Sequence, residues 1–163
     1  MNKSQLLRNL ARKAGLCDKW FSEWSDNESD DALLDRYIKG IDFCILHDYP
    51  SIPIIRSTFD EETLRRHNIF LDAKSVTVNS PQPVSVFLGT SKANVTASAF
   101  SVSDIYVRHN SKLRIHARDH AIVAITVYDN AEIVATSEGQ AKVFIYNRSD
   151  KSTIVAQKDM VIK

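Results

Sequence analysis

His109-Asn110-Ser111-Lys112-Leu113-Arg114-Ile115, Asp119-His120-Ala121-Ile122-Val123-Ala124-Ile125, Asp129-Asn130-Ala131-Glu132-Ile133-Val134-Ala135 and Gly139-Gln140-Ala141-Lys142-Val143-Phe144-Ile145 are four copies of one pattern, each begun ten residues after the last. A copy consists of a turn residue, an amide or imidazole side chain, a small residue, any residue, then apolar–any–apolar. A weaker copy follows at Ser149-Asp150-Lys151-Ser152-Thr153-Ile154-Val155, and Ser101, Ile105, Val107, Ser91 and Val95 keep the phase upstream. One ten-residue circuit cannot enclose side chains, so two repeats must make one turn. The pattern therefore predicts a two-sided β-solenoid of about 20 residues per coil, with coils stacked at the ~4.8 Å spacing of neighbouring strands.

Strand alternation then assigns the faces. Ile105, Val107, Leu113, Ile115, Val123, Ile125, Val127, Ile133, Val143 and Ile145 point in, and the even positions point out. Ser111, Ala121, Ala131 and Ala141 sit where the chain folds back and space is tight. Residue i should stack on residue i+20. That register predicts a column of Arg108, Tyr128 and Arg148, with the ring between two guanidinium groups. Tyr106, Thr126 and Tyr146 should stack beside it. Arg118, Glu138 and Lys158 form a third expected column, and Asn110, Asn130 and Asp150 a fourth. A slip of one residue would turn the whole core outward.

Ahead of the repeat the period is helical. Leu6, Leu7, Leu10, Ala11 and Ala14 mark a first helix, with Ser4 as its expected N-cap and Gly15 as its stop. Trp20, Phe21 and Trp24 form an aromatic cluster on a short helix, either a small core or a binding hot spot. A polar, acidic loop leads to a cap near Ser29 or Asp30. Leu33, Leu34, Tyr37, Ile38, Ile41, Cys44 and Ile45 then predict one long helix to about residue 47, ended by Tyr49-Pro50. Ser51 and Pro53 open another short helix, and Asp60 caps a last one over 61–67. Residues 1–72 thus read as a module of four or five helices, and residues 73–163 as the solenoid. The fold class is α+β. Val76, Val78, Val84, Val86 and Leu88 open the strand region around the turn Ser80-Pro81-Gln82-Pro83, whose prolines suit a sheet edge.

The chain has 163 residues and a formal net charge of +1, which gives no global attraction to nucleic acid. Residues 1–72 carry 10 Lys/Arg and 13 Asp/Glu, and residues 73–163 carry 11 and 7, a polarity that favours head-to-tail contact between copies. Two cysteines, Cys17 and Cys44, with no dense framework suggest reduced thiols. With no signal-peptide core and no membrane-length apolar run, the expected setting is cytoplasmic, with a virion as the other candidate.

The short apolar strands in constant register resemble those of β-solenoid proteins, and among cytoplasmic ones the bactofilin-type polymer-forming proteins. The resemblance covers residues 76–163, and it departs from the bactofilin plan in the helical module and the modest number of coils. It implies self-association. The whole chain is also similar to short uncharacterised proteins of phages and mobile elements in gut bacteria, from which no activity carries over.

Motifs for chemistry are sparse: no Gly-rich phosphate loop, nucleophile elbow or paired CxxC knuckles are present. Cys17, Cys44 and His47 are one ligand short of a structural zinc site, so no metal and no cofactor are expected. His109, His116 and His120 cluster in sequence. The solenoid resemblance gives them one enzymatic reading, since solenoid acyltransferases carry a catalytic histidine between subunits, but the six-residue repeat of those enzymes is absent. Arg108, Lys112, Arg114 and Arg118, with Tyr106 and Tyr128, form a candidate nucleic-acid surface interrupted by Asp104, Asp119, Asp129 and Glu132.

The leading expectation is a non-enzymatic assembly protein. Its self-contact surface would comprise Tyr106, Arg108, Tyr128, Phe144, Tyr146 and Arg148, or the last strand with Met160 and Ile162, at an end with no evident cap. The helices would cap the other end and dock a protein partner through Trp20 and Trp24. The alternative is a small inhibitor or regulator that grips a protein or nucleic acid with the Arg/Tyr flank.

Overall fold

In the computed structural model, which describes residues 1–163, the chain forms two compact units, Met1–His67 and Asn68–Lys163. The boundary falls before β1 (Ile69–Leu71), not after residue 72. Those three residues pair with β3 (Val84–Leu88) and so belong to the solenoid.

The first unit has six helices. In α1 (Lys3–Lys13) the cap is Asn2, whose side chain accepts the Gln5 N–H while Gln5 returns a bond to the Asn2 N–H. Ser4, the expected cap, lies one residue inside the helix, on the same face as Leu7 and Ala11. It is buried there, donating to the Ser25 carbonyl at 2.6 Å and accepting Trp24 Nε1–H at 3.0 Å. The short α2 (Asp18–Ser22) carries Trp20 and Phe21.

Ser29 caps α3 (Asp30–Lys39) through the Ala32 N–H. The expected long helix is broken at Gly40, and α4 (Ile41–His47) starts afresh. A side chain at Gly40 would stand 3.1 Å from the Trp20 ring, so glycine there lets the indole approach the junction. Helices α5 (Ile52–Thr58) and α6 (Glu61–Arg66) follow, the latter capped by Asp60 through the Thr63 N–H at 2.8 Å. The break at Gly40 and the separate short α2 account for six helices where the hydrophobic pattern suggests four or five.

The second unit is a β-solenoid of about five turns. Its further strands are β2 (Val76–Asn79), β4 (Lys92–Ala97), β5 (Val102–Val107), β6 (Lys112–Ala117), β7 (Ile122–Val127), β8 (Glu132–Ser137), β9 (Lys142–Asn147), β10 (Thr153–Ala156) and β11 (Val161–Ile162). Successive strands alternate between two parallel sheets: β1-β3-β5-β7-β9-β11 form one, and β10-β8-β6-β4-β2 form the other. From β3 to β9 every pairing is offset by 20 residues, as in Ile105↔Ile125 and Leu113↔Ile133. The outer pairings depart from it. Ile69 pairs with Val86 and Val76 with Ala93, a step of 17; Thr153 pairs with Glu132, a step of 21.

All ten residues expected to point inward are buried, and Ala97, Ala117 and Ala135 complete the same rows. Ser111, Ala121 and Ala131 are fully buried at the corners.

The corner residues explain the composition of the repeat. Gly89, Ala99, His109, Asp119, Asp129 and Gly139 all adopt left-handed backbone, with φ between 57° and 68°. Glycine does so freely, and Asp and His are enriched there among other residues. Side chains at these corners also bind the preceding coil. His109 Nδ1 accepts the Gly89 N–H at 3.1 Å, Asp119 Oδ2 accepts that of Ala99 at 2.9 Å, and Asp129 Oδ2 accepts that of His109 at 3.1 Å.

Candidate functional site

The six-stranded sheet exposes an outer face built from the even positions of β5, β7 and β9. Register places Val102, Ile122 and Lys142 in one column, Asp104, Ala124 and Phe144 in a second, and Tyr106, Thr126 and Tyr146 in a third. The third column is the one expected. Val102 is 62% exposed and Ile122 40%, and beside them Phe100, 81% exposed, stacks on the His120 ring at 4.5 Å. Between the half-buried aromatics of β5 and β9 lie only Ala124 and Thr126, so the centre of the face is low. The result is a contiguous apolar and aromatic surface, with a carboxylate at Asp104 and an ammonium group at Lys142.

Arg108, Tyr128 and Arg148 stand at the strand ends. The Arg108 guanidinium lies 4.9 Å from the Tyr128 ring centroid, and its Nε donates to Asp129 Oδ2 at 2.8 Å. Arg148 instead lies over Tyr146, 5.7 Å away, so Tyr128 is not sandwiched. The Arg148 backbone keeps the register, its N–H donating to the Val127 carbonyl at 2.9 Å, and the departure begins at the next residue. Asn147 Oδ1 accepts from the Ser149 N–H and the Ser152 hydroxyl, Ser149 is not left-handed, and the chain there leaves the path of the earlier corners.

Two other expected columns are also incomplete. Asn130 donates to Asn110 at 3.4 Å, but Asp150 lies beyond the altered corner. Glu138 approaches His116 Nε2 at 3.4 Å, and the 21-residue step displaces Lys158 from a column with Arg118.

Tyr106, Arg108, Tyr128, Phe144, Tyr146 and Arg148 are thus brought to one face. Met160, in contrast, is a core residue and no surface contact. Ile162 pairs with Ile145 and is 52% exposed. In the helical unit Trp24 is buried, hydrogen-bonded to Ser4 and covered by Arg36 at 4.9 Å, which makes it core. Trp20 is half-buried beneath Lys39 at 5.8 Å. Phe100, Val102 and Ile122 are the surface residues that sequence reasoning missed. The signal was available in the apolar even positions of β5 and β7.

The proposed basic patch does not exist as one surface. Arg108, Tyr106 and Tyr128 belong to the six-stranded sheet, whereas Lys112 and Arg114 lie on β6 of the other, with Arg118 just past its end. Consecutive repeats go to opposite sides, so Arg108 is separated from Lys112 and Arg114 despite their closeness in sequence.

The histidines are also dispersed. His109 is tied to Gly89, and His120 is stacked on Phe100. His116 Nδ1 meets Thr136 Oγ1 at 2.8 Å and its Nε2 approaches Glu138. This hydroxyl–imidazole–carboxylate order is that of an activated nucleophile. It lies on an open sheet face where the backbone N–H groups of β8 are held between β6 and β10, so none is aimed at a developing oxyanion. Cys44 is buried and Cys17 exposed, His47 packs on Phe43 at 4.5 Å, and no three His, Cys, Asp or Glu side chains converge in a way that could hold a metal. No helix is long and apolar enough to cross a membrane.

No family model matches the chain, and no curated protein or solved structure matches it.

Proposed function

We propose that the protein is a non-enzymatic assembly protein that self-associates through the outer face of its six-stranded sheet and carries the helical unit as a partner-docking module. It would work in a reducing compartment such as the cytoplasm, and a structural or accessory role in a phage or mobile element fits it. The observation that supports the reading is the contiguous run of Phe100, Val102, Ile122, Phe144 and Tyr146 on that face. Exposed apolar patches of this kind mark interaction surfaces.

The face is also self-complementary. A two-fold axis along β7 sets Ile122 on Ile122 and Tyr106 on Tyr146 of a second copy, and brings Asp104 within one column of Lys142. Separation of the basic residues onto two sheets weighs against a nucleic-acid track on this flank, and so favours assembly over the alternative regulator.

Light scattering coupled to size-exclusion chromatography tests the reading. Ile122→Asp and Phe144→Asp should each weaken association at least tenfold, about 1.4 kcal/mol. Asp104→Lys and Lys142→Asp should each weaken it alone, and a 1:1 mixture of the two variants should restore it. A monomer at high concentration that none of these changes affects would refute assembly.

A further inference from the structure

At several places in the solenoid polar side chains one coil apart complement each other: Lys112 with Glu132 at 3.1 Å, Arg108 with Asp129, Asn110 with Asn130, His116 with Thr136. One place on the five-stranded sheet does the opposite. Lys92 on β4 stands directly opposite Lys112 on β6, a like-charge pair at strand spacing, which is unfavourable in a ladder. In the next column Arg114 stands opposite Asn94 on one side and Val134 on the other. Glu132 neutralises Lys112, whereas Lys92 and Arg114 are exposed and without an ion-pair partner.

These groups surround a shallow groove of about 320 Å³, lined by Ser75, Lys92, Asn94, Lys112, Arg114 and Glu132 over a floor that includes Ala93 and Leu113. It is roomy enough to admit a phosphate group with a small polar body.

We propose that this groove binds the phosphate group of a small phosphorylated ligand. Lys92 and Arg114 line it with no carboxylate of their own, Lys112 lines it beside Glu132, and Ser75 and Asn94 add neutral hydrogen-bonding side chains. The anion would supply the negative charge that the Lys92–Lys112 step lacks. A like-charge step that costs stability in the ladder is the kind of local conflict expected at a functional site. Glu132 closes one side, and Val134 is its neighbour on the same outer face of β8, so the basic surface is a compact spot and not a continuous track for a polyanion. The site is on the sheet opposite the assembly face and does not depend on assembly.

The test is calorimetric titration of the full chain with inorganic pyrophosphate at constant ionic strength, with amide NMR shifts to locate the site. One site per chain is expected, with shifts centred on Ser75, Lys92, Lys112 and Arg114. Arg114→Ala and Lys92→Ala should each weaken binding at least tenfold; Lys92→Gln replaces the latter if alanine disturbs the ladder by circular dichroism. Glu132→Gln, which removes the nearest repulsion, should tighten binding several-fold. Arg118→Ala, outside the groove, should change it less than twofold. Absence of saturable binding overturns the proposal, as does equal sensitivity to Arg118 and Arg114. A single-stranded oligonucleotide that binds more tightly than pyrophosphate, with shifts over several coils, would identify a polyanion surface instead.

Discussion

At His109 the backbone turns through φ 64° while ring Nδ1 accepts the Gly89 N–H one coil earlier. Asp performs the same two tasks at positions 119 and 129, and Gly performs the first at 89 and 139. His109→Asp should therefore leave stability within about 0.5 kcal/mol in urea unfolding followed by circular dichroism. His109→Val should lose about 2–3 kcal/mol, from left-handed strain of a β-branched residue plus one lost hydrogen bond. The cysteines also differ by environment. Burial pushes the Cys44 thiol up to about 12, whereas Cys17 is exposed. Since the thiolate is the reactive form, a thiol reagent near pH 8 should label one cysteine per native chain, and the second only on unfolding. A Cys17→Ser variant should then show no rapid phase.

At the level of elements, α6 is held at its start by an ionised cap. The Thr63 backbone N–H, then its hydroxyl, hold the Asp60 carboxyl below the ordinary 3.8. Hydrogen bonds from His67 and then Arg66 lower Asp31 likewise. A depressed carboxylate contributes stability above its unfolded pKa and loses it as pH falls through the folded value. The helical unit should accordingly lose stability below about pH 4, the ordinary carboxylate range. Both tryptophans lie in this unit, so indole fluorescence during urea unfolding reads it alone. Asp60→Asn, which still caps, should reduce the pH slope while preserving most stability at pH 7. The caps at Ser29 and Asp60 are legible in the sequence because local hydrogen bonding decides them. The break at Gly40 is not, because it answers to an indole from twenty residues earlier. Ser4 misleads for the same reason: its partners, Ser25 and Trp24, are remote.

For the whole molecule, the ten-residue period carries most of the solenoid: coil length, inward rows and the third outer column all follow from it. It fails at the two ends, where steps of 17 and 21 replace 20. The split of the basic residues was in fact implied by the period, since alternate repeats must lie on opposite sheets. Proximity in sequence obscured it. The rule makes a test of architecture. Deleting residues 110–129 removes one full circuit and keeps every strand on its own sheet, so β-sheet content and cooperative unfolding should survive with reduced stability. Deleting residue 121 alone removes a fully buried corner residue and shortens a 20-residue circuit, so it should lower the urea midpoint followed by circular dichroism.

The direction of the corner hydrogen bonds has a temporal meaning as well. Ala99 and His109 donate their N–H groups to side chains 20 residues later, and Gly89 does the same to His109. At these three corners the amide finds its side-chain acceptor only in the coil that follows. During synthesis the amino-terminal coils emerge first, so at each of these corners the later circuit seals the one before it, in the order in which the chain is made.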